Sequence, residues 1–439
     1  MRAQKLVHFG KEQTAMNMKR RILSAALALA LGAGLFSGCT KGGDSSGDAS
    51  GTGSASSSAS GVQAMDLTGV TDPYLATAGL AGDTVVGTIG GYDITADSLI
   101  YWLNYNIGYT LQQYASLGIA EIPWDSDADG VTAEQAMLYT ALQVAAHYRL
   151  LPELGAELGL AVPQELVDAL GQDRVSIGEQ LGSDELAERY FWIQMMTSQL
   201  YQDLYLAGEM SGLLQEYYYG AGSQGYPTDA EVQAYAQDEL GYYRAKHILL
   251  LTKDMTQQVA NPDGTVGYAP LDDETIAAQK KLADELLAQL QSASDSVALF
   301  DQLMNEHSED SGLVANPDGY TTYKGYMVPE FEQAALALKD GEVSQVVEST
   351  YGYHILLRLP LDLTEFRSAM VTARMEEKSN QWLLDYVITT NDAYLQIDPS
   401  DFWDKAQSLQ QAAYDQVQGV LAQQDAQSSA NAANSQSAG

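Results

Sequence analysis

Two histidines and one carboxylate are the residues in this sequence whose types could do chemistry together. His247 and His354 each lie within an apolar run, and Asp310 lies in the polar segment HSEDSG. Imidazole and carboxylate groups can form a hydrogen-bonded polar cluster, and two histidines with one aspartate can also bind a metal ion. Taken singly, each histidine is better explained as a hydrogen-bonded core residue and Asp310 as a loop carboxylate. The secondary-structure elements that carry these three residues must therefore show whether they form a common site.

Those elements predict a small α+β unit of about 120 residues. The segments 243–251 (YRAKHILLL) and 353–359 (YHILLRL) have the pattern of buried strands, and we expect them to pair. Helices are predicted between the two strands, at about 272–291, 298–306 and 329–338. The remaining connection is a loop rich in Gly, Asp and Asn.

Four motifs follow one another in this part of the chain: KHILL (246–250), HSEDSG (307–312), KGYMVPEFEQAALALKDGEVSQVV (324–347) and YGYHILLRL (351–359). Their order and spacing resemble the parvulin family of peptidyl-prolyl isomerases over essentially the whole family domain. The resemblance implies a parvulin domain at 241–361, with a small antiparallel sheet and surrounding helices. It also implies that the domain catalyses cis/trans isomerisation of X–Pro peptide bonds.

The resemblance assigns roles to five side chains. His247 and His354 correspond to the two core histidines of the family, and Asp310 corresponds to its acidic or cysteine position. Together these three are the expected catalytic residues. Met327 and Phe331 correspond to the apolar floor under the substrate proline. No single general base is assigned, because the histidines of the family are understood to act through a hydrogen-bond network. A purely structural role, holding the two strands together, stays open.

One loop departs from the family pattern. Many parvulins have Gly-Gly-Asp-Leu-Gly followed by an aromatic residue, whereas residues 316–323 read NPDGYTTY. Asp318 is retained, and Thr322 stands where the aromatic residue is expected. Tyr320 or Tyr323 is therefore a candidate for the missing aromatic wall.

The expected chemistry needs no cofactor. Rotation about an X–Pro bond must overcome a barrier of about 20 kcal/mol, because amide resonance is lost. No proton or electron leaves the substrate, so catalysis consists of binding the twisted amide better than either planar form. The sequence contains no P-loop and no His-Glu-x-x-His motif. A metal ion held by the two histidines and Asp310 is the alternative.

The composition limits the partners. Lys and Arg number 22 against 58 Asp and Glu, giving a formal net charge of −36, so no nucleic-acid partner is expected. His247 is followed by ILLLTKD rather than by an Arg-rich segment, which argues against recognition of phosphorylated substrates. Because Cys39 is the single cysteine, a disulfide within the chain, a Cys-rich zinc site and an iron–sulfur cluster are excluded.

The N-terminal segment predicts export. Three basic residues at 19–21 precede an apolar stretch at 22–36, which is too short for a comfortable membrane span, and Ser37-Gly38-Cys39 follows. This arrangement resembles a lipoprotein signal over residues 1–38, although Phe36 stands where such signals usually have leucine. An ordinary signal peptide is the alternative. The start codon, at Met1, Met16 or Met18, is not determined.

We therefore expect lipidation of Cys39 and attachment to the extracytoplasmic face of the cell membrane. A flexible Ser/Gly-rich tether is predicted at 39–75, helical segments at 76–240 and 362–422, and a disordered tail at 423–439. The predicted fold class is α+β, with the parvulin domain inserted in or following an all-helical chaperone-like module formed by the N- and C-terminal segments.

This arrangement resembles the foldase lipoproteins of the PrsA/SurA type. The resemblance implies an isomerase and chaperone for exported proteins. The expected partners are unfolded or partly folded exported polypeptides with X–Pro bonds, and the membrane through the lipid on Cys39. Client proteins, the residue preferred before proline and a homodimer are left open. The alternative is a non-catalytic holdase that uses the parvulin unit to bind peptides.

A calcium- or solute-binding lipoprotein of the envelope is a further alternative. Residues 125–130 (DSDADG) resemble the start of a Ca²⁺ loop. However, Ala136 stands where a bidentate glutamate is expected, and Glu134 comes two residues early. An acidic loop before a helix capped by Thr132 explains the segment better.

Overall fold

The computed structural model describes residues 62–128, 130–260 and 264–437, with side chains as far as residue 430. The predicted signal sequence, Cys39 and the predicted tether up to residue 61 lie outside these residues. The predicted tether is wrong for residues 62–75, because Leu67 and Tyr74 are buried and a helix begins at Pro73. The described chain forms two compact units, one spanning Tyr226–Ala373 and the other formed by the residues up to Gly225 and from Arg374 onward. Within the described ranges, no helix combines the length and the apolar composition needed to cross a membrane.

The unit formed by both ends of the chain, called the helical unit here, is mostly helix. Its N-terminal part contains α1 (Pro73–Ala78), β1 (Val85–Ile89), β2 (Tyr92–Thr95), α2 (Ala96–Ser116), β3 (Asp127–Ala128), β4 (Val131–Thr132), α3 (Ala133–Glu157), α4 (Gln164–Leu181), α5 (Asp184–Trp192) and α6 (Ser198–Tyr219). The helix Leu363–Asp385 enters this unit at Arg374, and Ile388–Thr390, a 3₁₀ turn at Tyr394–Gln396 and the helix Pro399–Ser437 complete it.

A three-stranded antiparallel sheet joins the two ends of the chain within the helical unit. Its strand order is Ile388–Thr390, β1, β2, with Gly87 opposite Thr390. A Cβ atom at Gly87 would lie 2.3 Å from the carbonyl oxygen of Thr389, so glycine is needed for the two segments to pair. The unit is therefore helix-rich rather than all-helical, which corrects that part of the sequence prediction.

The core of the helical unit is built from the apolar faces of its helices. Trp102 and Leu99 of α2 are fully buried together with Leu142 of α3 and with Phe402 and Leu409 of the last helix. Their spacing along each helix follows the helical period, so one face of each helix is apolar. The predicted cap of α3 is confirmed: the Thr132 hydroxyl accepts from the Gln135 N–H, and the Gln135 side chain accepts from the Thr132 N–H.

The predicted disorder of residues 423–439 is wrong for the part that the structure describes. The last helix continues through residue 437, and the side-chain amide of Gln424 donates to the carbonyl of Gln180 at 2.7 Å. The tail is rich in Ala and Gln, which are good helix formers. A packed helix that already exists can extend into such a segment without a new nucleation step.

The Tyr226–Ala373 unit, called the isomerase unit here, has the predicted α+β architecture. Its elements are α7 (Asp229–Ala234), a π-helical turn (Tyr235–Glu239), β5 (Tyr242–Leu251), β6 (Lys253–Ala260), β7 (Val266–Pro270), α8 (Asp273–Ser292), α9 (Ser296–His307), β8 (Tyr320–Tyr323), α10 (Pro329–Ala337), β9 (Val347–Glu348), β10 (Gly352–Leu359) and the first half of α11 (Leu363–Asp385). The main sheet has the strand order β8-β5-β10-β9, and β6 and β7 form a separate hairpin that the sequence did not indicate.

The predicted pairing of the two central strands is confirmed. Strands β5 and β10 are antiparallel, with Ile248 opposite Ile355 and Leu250 opposite Tyr353. These side chains point to one face of the sheet, where α8 and α9 cover them in a core that includes Phe300. Because side chains alternate along a strand, the neighbouring residues point to the opposite face, where α10 packs.

The isomerase unit extends beyond the predicted boundaries of 241–361 on both sides. The Arg367 guanidinium binds the Pro227 carbonyl and the Asp229 carboxylate, and the rings of Phe366 and Tyr242 lie 5.1 Å apart. These contacts attach the flanking residues to the isomerase unit, whereas the sequence predicts them within the helical segments.

Candidate active site

The two site histidines lie on the two central strands of the isomerase unit. In the register of β5 and β10, His247 is opposite Leu356 and His354 is opposite Leu249. The histidines are therefore diagonal neighbours on one face of the sheet, within reach of each other. Their Nδ1 atoms are 3.0 Å apart, and the ring planes differ by 12°.

Asp310 is brought to His247 by a loop that runs along the end of β5. The Leu249 N–H donates to the Ser308 hydroxyl at 3.1 Å, and the Glu309 N–H donates to the Leu249 carbonyl at 2.8 Å. The Glu309 carboxylate accepts from the Leu251 N–H at 2.6 Å. This loop satisfies backbone groups of β5 that would otherwise be unpaired, and it places Asp310 Oδ2 3.0 Å from His247 Nε2.

These contacts form one continuous chain of hydrogen bonds. Asp310 Oδ2 accepts from the Tyr320 hydroxyl at 2.5 Å, and Asp310 Oδ1 accepts from the Gly312 N–H at 3.0 Å. At the other end, Ser349 Oγ lies 2.7 Å from His354 Nε2 and accepts from the Tyr351 N–H at 3.1 Å.

The donors and acceptors that each side chain offers determine the direction of the hydrogen bonds in this series. An ionised Asp310 can only accept, so a neutral His247 carries its proton on Nε2 and accepts at Nδ1. His354 must then donate from Nδ1, which leaves its Nε2 to accept from the Ser349 hydroxyl. This assignment takes both rings as neutral and rests on donor and acceptor matching.

The pKa shifts agree with that assignment. Burial by itself raises the pKa of the Asp310 carboxyl, but the hydrogen bonds from His247 and Tyr320 outweigh burial and hold the pKa well below its usual range. Burial, and to a lesser extent the neighbouring His247, lower the pKa of His354 to about 3. Burial and the adjacent Asp310 raise the pKa of the Tyr320 hydroxyl, so this group remains a donor.

An apolar floor lies beside the polar chain. Phe331 of α10 is 2% exposed, and its ring lies nearly perpendicular to both imidazoles, with centroids 5.2 Å from His247 and 5.9 Å from His354. Met327 is partly buried and packs against the same cluster. All five predicted site residues in the isomerase unit are therefore brought together.

The structure chooses between the two candidates for the aromatic wall. In the pairing of β8 with β5, Tyr320 is opposite Ala245, on the face that carries His247, and the Tyr320 ring lies 5.7 Å from the imidazole. Tyr323 is opposite Tyr242 and is 45% exposed. Thr322 is on the site face but is buried and offers no aromatic surface. Tyr320 alone joins the site.

The sequence does not predict two hydrogen-bonding groups of the site, the Ser349 hydroxyl and the Tyr320 hydroxyl. Ser349 lies five residues before His354 in the connection from β9, and no general motif marks such a serine. The sequence predicts Tyr320 only as a candidate aromatic wall, because its contact with Asp310 depends on how β8 pairs with β5.

The geometry does not favour a metal site on these residues. His247 directs one nitrogen to His354 and the other to Asp310, so neither nitrogen of this ring is available to a metal ion. Across the described residues, no group of three or more His, Cys, Asp or Glu side chains is arranged to hold a metal. In the 125–130 segment Asp127 and Ala128 form β3, and the Gly130 N–H donates to the Asp127 carboxylate at 2.6 Å. Asp129 lies outside the described residues.

Comparison with known proteins agrees with this fold and site. Residues 247–359 match the family described as Rotamase, PPIC-type PPIASE domain. The foldase protein PrsA of Halalkalibacterium halodurans is 37% identical over 134 residues, which cover 30% of this chain and 31% of PrsA. The chaperone SurA of Thiobacillus denitrificans is 31% identical over 163 residues, covering 36% of this chain and 32% of SurA. The peptidyl-prolyl cis-trans isomerase Pin1 of Digitalis lanata is 32% identical over 117 residues, covering 26% of this chain and 93% of Pin1.

The sheet, the paired histidines and these matches define a parvulin-type isomerase domain. The chain belongs to the parvulin family of peptidyl-prolyl isomerases, with residues 247–359 as its PPIC-type domain. Its match to the PrsA and SurA relatives spans about a third of their length.

Proposed function

We propose that the protein is a peptidyl-prolyl cis/trans isomerase that assists the folding of exported polypeptides. The observation that carries this proposal is the hydrogen-bonded chain from Asp310 through His247 to His354, which lies against the buried ring of Phe331. A fixed polar chain beside an apolar floor is what a site for a twisted amide needs, and no group in it requires a cofactor.

The catalytic argument rests on the change in the amide during rotation. A twisted amide has lost its resonance, so it is less dipolar than the planar form and is favoured by a dry apolar surface. Phe331 and Met327 would hold the pyrrolidine ring on that surface. The polar chain would present fixed dipoles to the rotating carbonyl, and these cost no reorganisation during the reaction.

The proposed place of work is the extracytoplasmic face of the cell membrane. The lipoprotein-like signal over residues 1–38 and the single cysteine at its end support this location, with the lipid on Cys39 and the Ser/Gly-rich segment after it linking the folded units to the membrane. Replacing Cys39 with serine should release the protein from the membrane fraction and remove the mass of the lipid. Membrane retention by the Cys39→Ser protein would contradict the proposed anchor.

The proposed substrates are unfolded or partly folded exported polypeptides with X–Pro bonds. Uncatalysed isomerisation takes tens of seconds or longer, so an emerging chain benefits from catalysis. In this proposal the helical unit acts as the chaperone part. Its large core, formed from both ends of the chain, supports a separately folded module.

The test is the rate of cis/trans exchange in short X–Pro peptides, measured by NMR with the full chain in mild detergent. Asp310→Ala and His354→Ala proteins, first shown to be folded by circular dichroism, should lose most of the catalysis. If the folded wild-type protein does not accelerate exchange, the isomerase proposal fails. The isomerase unit would then be a peptide-binding module of a holdase.

A further inference from the structure

Tyr320 makes two different contacts in the site. Its hydroxyl donates to Asp310 Oδ2 at 2.5 Å, and its ring lies against the His247 imidazole with the planes 72° apart. Phe331 approaches the same imidazole from another element at 5.2 Å and 89°. His247 is therefore flanked by two aromatic rings, of which only Tyr320 also carries a hydrogen-bond donor.

Two glycines make room for this arrangement. A Cβ atom at Gly312 would lie 2.1 Å from the Tyr320 hydroxyl oxygen, so the hydroxyl occupies space that any other residue at 312 would fill. Gly319 has a φ of +93°, and a Cβ there would lie 2.9 Å from the Ala245 carbonyl oxygen. Gly319 therefore lets the chain pass close to β5 just before Tyr320, and Gly312 leaves space for the Tyr320 hydroxyl.

No other residue of β8 can provide this wall. Thr322, the next residue of β8 on the same face, is 3% exposed, and its hydroxyl has no hydrogen-bond partner. Tyr323 contacts Tyr242 and Tyr326 instead, at centroid distances of 5.7 and 5.4 Å. The half-buried ring of Tyr320 is thus the aromatic surface that this strand offers to a substrate.

The hydroxyl acts on the histidines through Asp310. Tyr320 and His247 donate to the same carboxylate oxygen, so the hydroxyl helps to fix Asp310 as an acceptor toward His247. The tautomer of His247 determines which nitrogen of His354 can donate. Removing the hydroxyl would weaken the orientation of both imidazoles while leaving the ring surface in place.

We propose that Tyr320 determines proline binding through its ring and positions the Asp310–His247–His354 chain through its hydroxyl. This inference rests on the proposed isomerase function. The Tyr320 ring determines substrate affinity, whereas the Tyr320 hydroxyl affects the rate of turnover.

Three variants test the two roles by NMR exchange kinetics and by titration with the same X–Pro peptide. Tyr320→Phe keeps the ring, so we expect kcat to fall about tenfold with little change in KM or in peptide affinity. Tyr320→Ala removes the ring as well, so we expect peptide affinity to weaken about tenfold in addition. Tyr323→Ala, on the other face of the same strand, is the matched control and should behave like the wild type.

A double-mutant cycle of Tyr320→Phe with Gly312→Ala tests the role of the Tyr320 hydroxyl by a second, independent substitution. Gly312→Ala should displace the hydroxyl and lower kcat about as much as Tyr320→Phe does. In the Tyr320→Phe background, Gly312→Ala should have little further effect on kcat, because the hydroxyl oxygen nearest to the new methyl group is absent.

The outcomes separate this inference from the proposed function. Equal kinetics and equal peptide affinity for the Tyr320→Ala and Tyr323→Ala proteins would overturn the inference even if the wild type is an active isomerase. If the wild type binds the peptide but does not isomerise it, the proposed function fails. A weakened affinity of Tyr320→Ala alone would then still establish the wall. Thermal unfolding of each variant shows first that it is folded.

Discussion

The Nδ1 atoms of His247 and His354 lie 3.0 Å apart, although the two residues are 107 positions apart in the chain. Only one of the two nitrogens can carry a proton in that contact. The carboxylate at one end and the serine hydroxyl at the other decide which one does. The site is therefore a directed chain in which each group depends on the ionisation state of its neighbour.

Replacing Asp310 with asparagine should disrupt this direction at nearly constant shape. The amide can donate as well as accept, so His247 is no longer held with its proton on Nε2. We expect kcat/KM to fall at least about tenfold, since hydrogen bonds to charged groups contribute roughly 1.5–3 kcal/mol. NMR exchange of an X–Pro peptide measures this. Asp318→Asn, an exposed carboxylate in the neighbouring loop, is the control, and equal activity of the two variants would refute the role of Asp310.

The pH profile of catalysis should show no titration of His354 near neutrality. Its pKa is lowered to about 3, so the ring accepts a proton, and its Nε2 stops accepting from Ser349, only as the pH falls toward 3. We expect the contribution of His354 to kcat/KM to be constant between about pH 4 and 8. The ring carbon–proton NMR signals of His354 check this directly. A titration of those signals near pH 6.5 would contradict the burial argument.

His147 should make the helical unit sensitive to acid. This histidine of α3 is 2% exposed, and burial lowers its pKa to about 4, whereas the unfolded chain binds a proton near pH 6.5. Between those values the unfolded state binds more protons, so stability is lost as the pH falls through this window. The slope contributed by His147 is up to about 1.4 kcal/mol per pH unit.

Urea unfolding at several pH values measures this slope, and tryptophan fluorescence reports on the helical unit alone. All five tryptophans belong to that unit: Trp102, Trp124, Trp192, Trp382 and Trp403. His147→Gln should flatten the dependence between pH 6.5 and 4, whereas His307→Gln in the isomerase unit should leave it unchanged. An unchanged slope in the His147→Gln protein would show that the group is not responsible.

Gly87→Ala should weaken the pairing of the two chain ends. The added methyl group would lie 2.3 Å from the Thr389 carbonyl oxygen, so β1 and Ile388–Thr390 must move apart. We expect a loss of about 1–3 kcal/mol in the unfolding free energy of the helical unit. Gly171→Ala is the matched control, because nothing lies within 4 Å of its new methyl group on α4 and stability should rise by about 0.5–1 kcal/mol. Equal stabilities of the two variants would refute the importance of this pairing.

The sequence by itself determined the elements and the polar centre of the isomerase unit. Strands β5 and β10 are apolar runs bounded by turn residues, and their motifs carry His247 and His354 at recognisable positions. Such strands can be predicted from the sequence, because burial on both faces of a sheet requires a nearly continuous run of apolar residues. The Thr132 cap can also be predicted, since it involves residues only three positions apart.

Tertiary structure decided the features that depend on contacts between distant segments. The choice between Tyr320 and Tyr323 rests on the register of β8 against β5, because a shift of one residue in that register exchanges the faces of all side chains in the strand. The three-residue strand Ile388–Thr390 is too short for its own residues to mark it, and pairing with β1 defines it. The composition of the tail predicts disorder, but the tail extends a helix whose earlier turns are packed in the core. In each case the local structure is stabilised by contacts with a segment that is distant in the sequence.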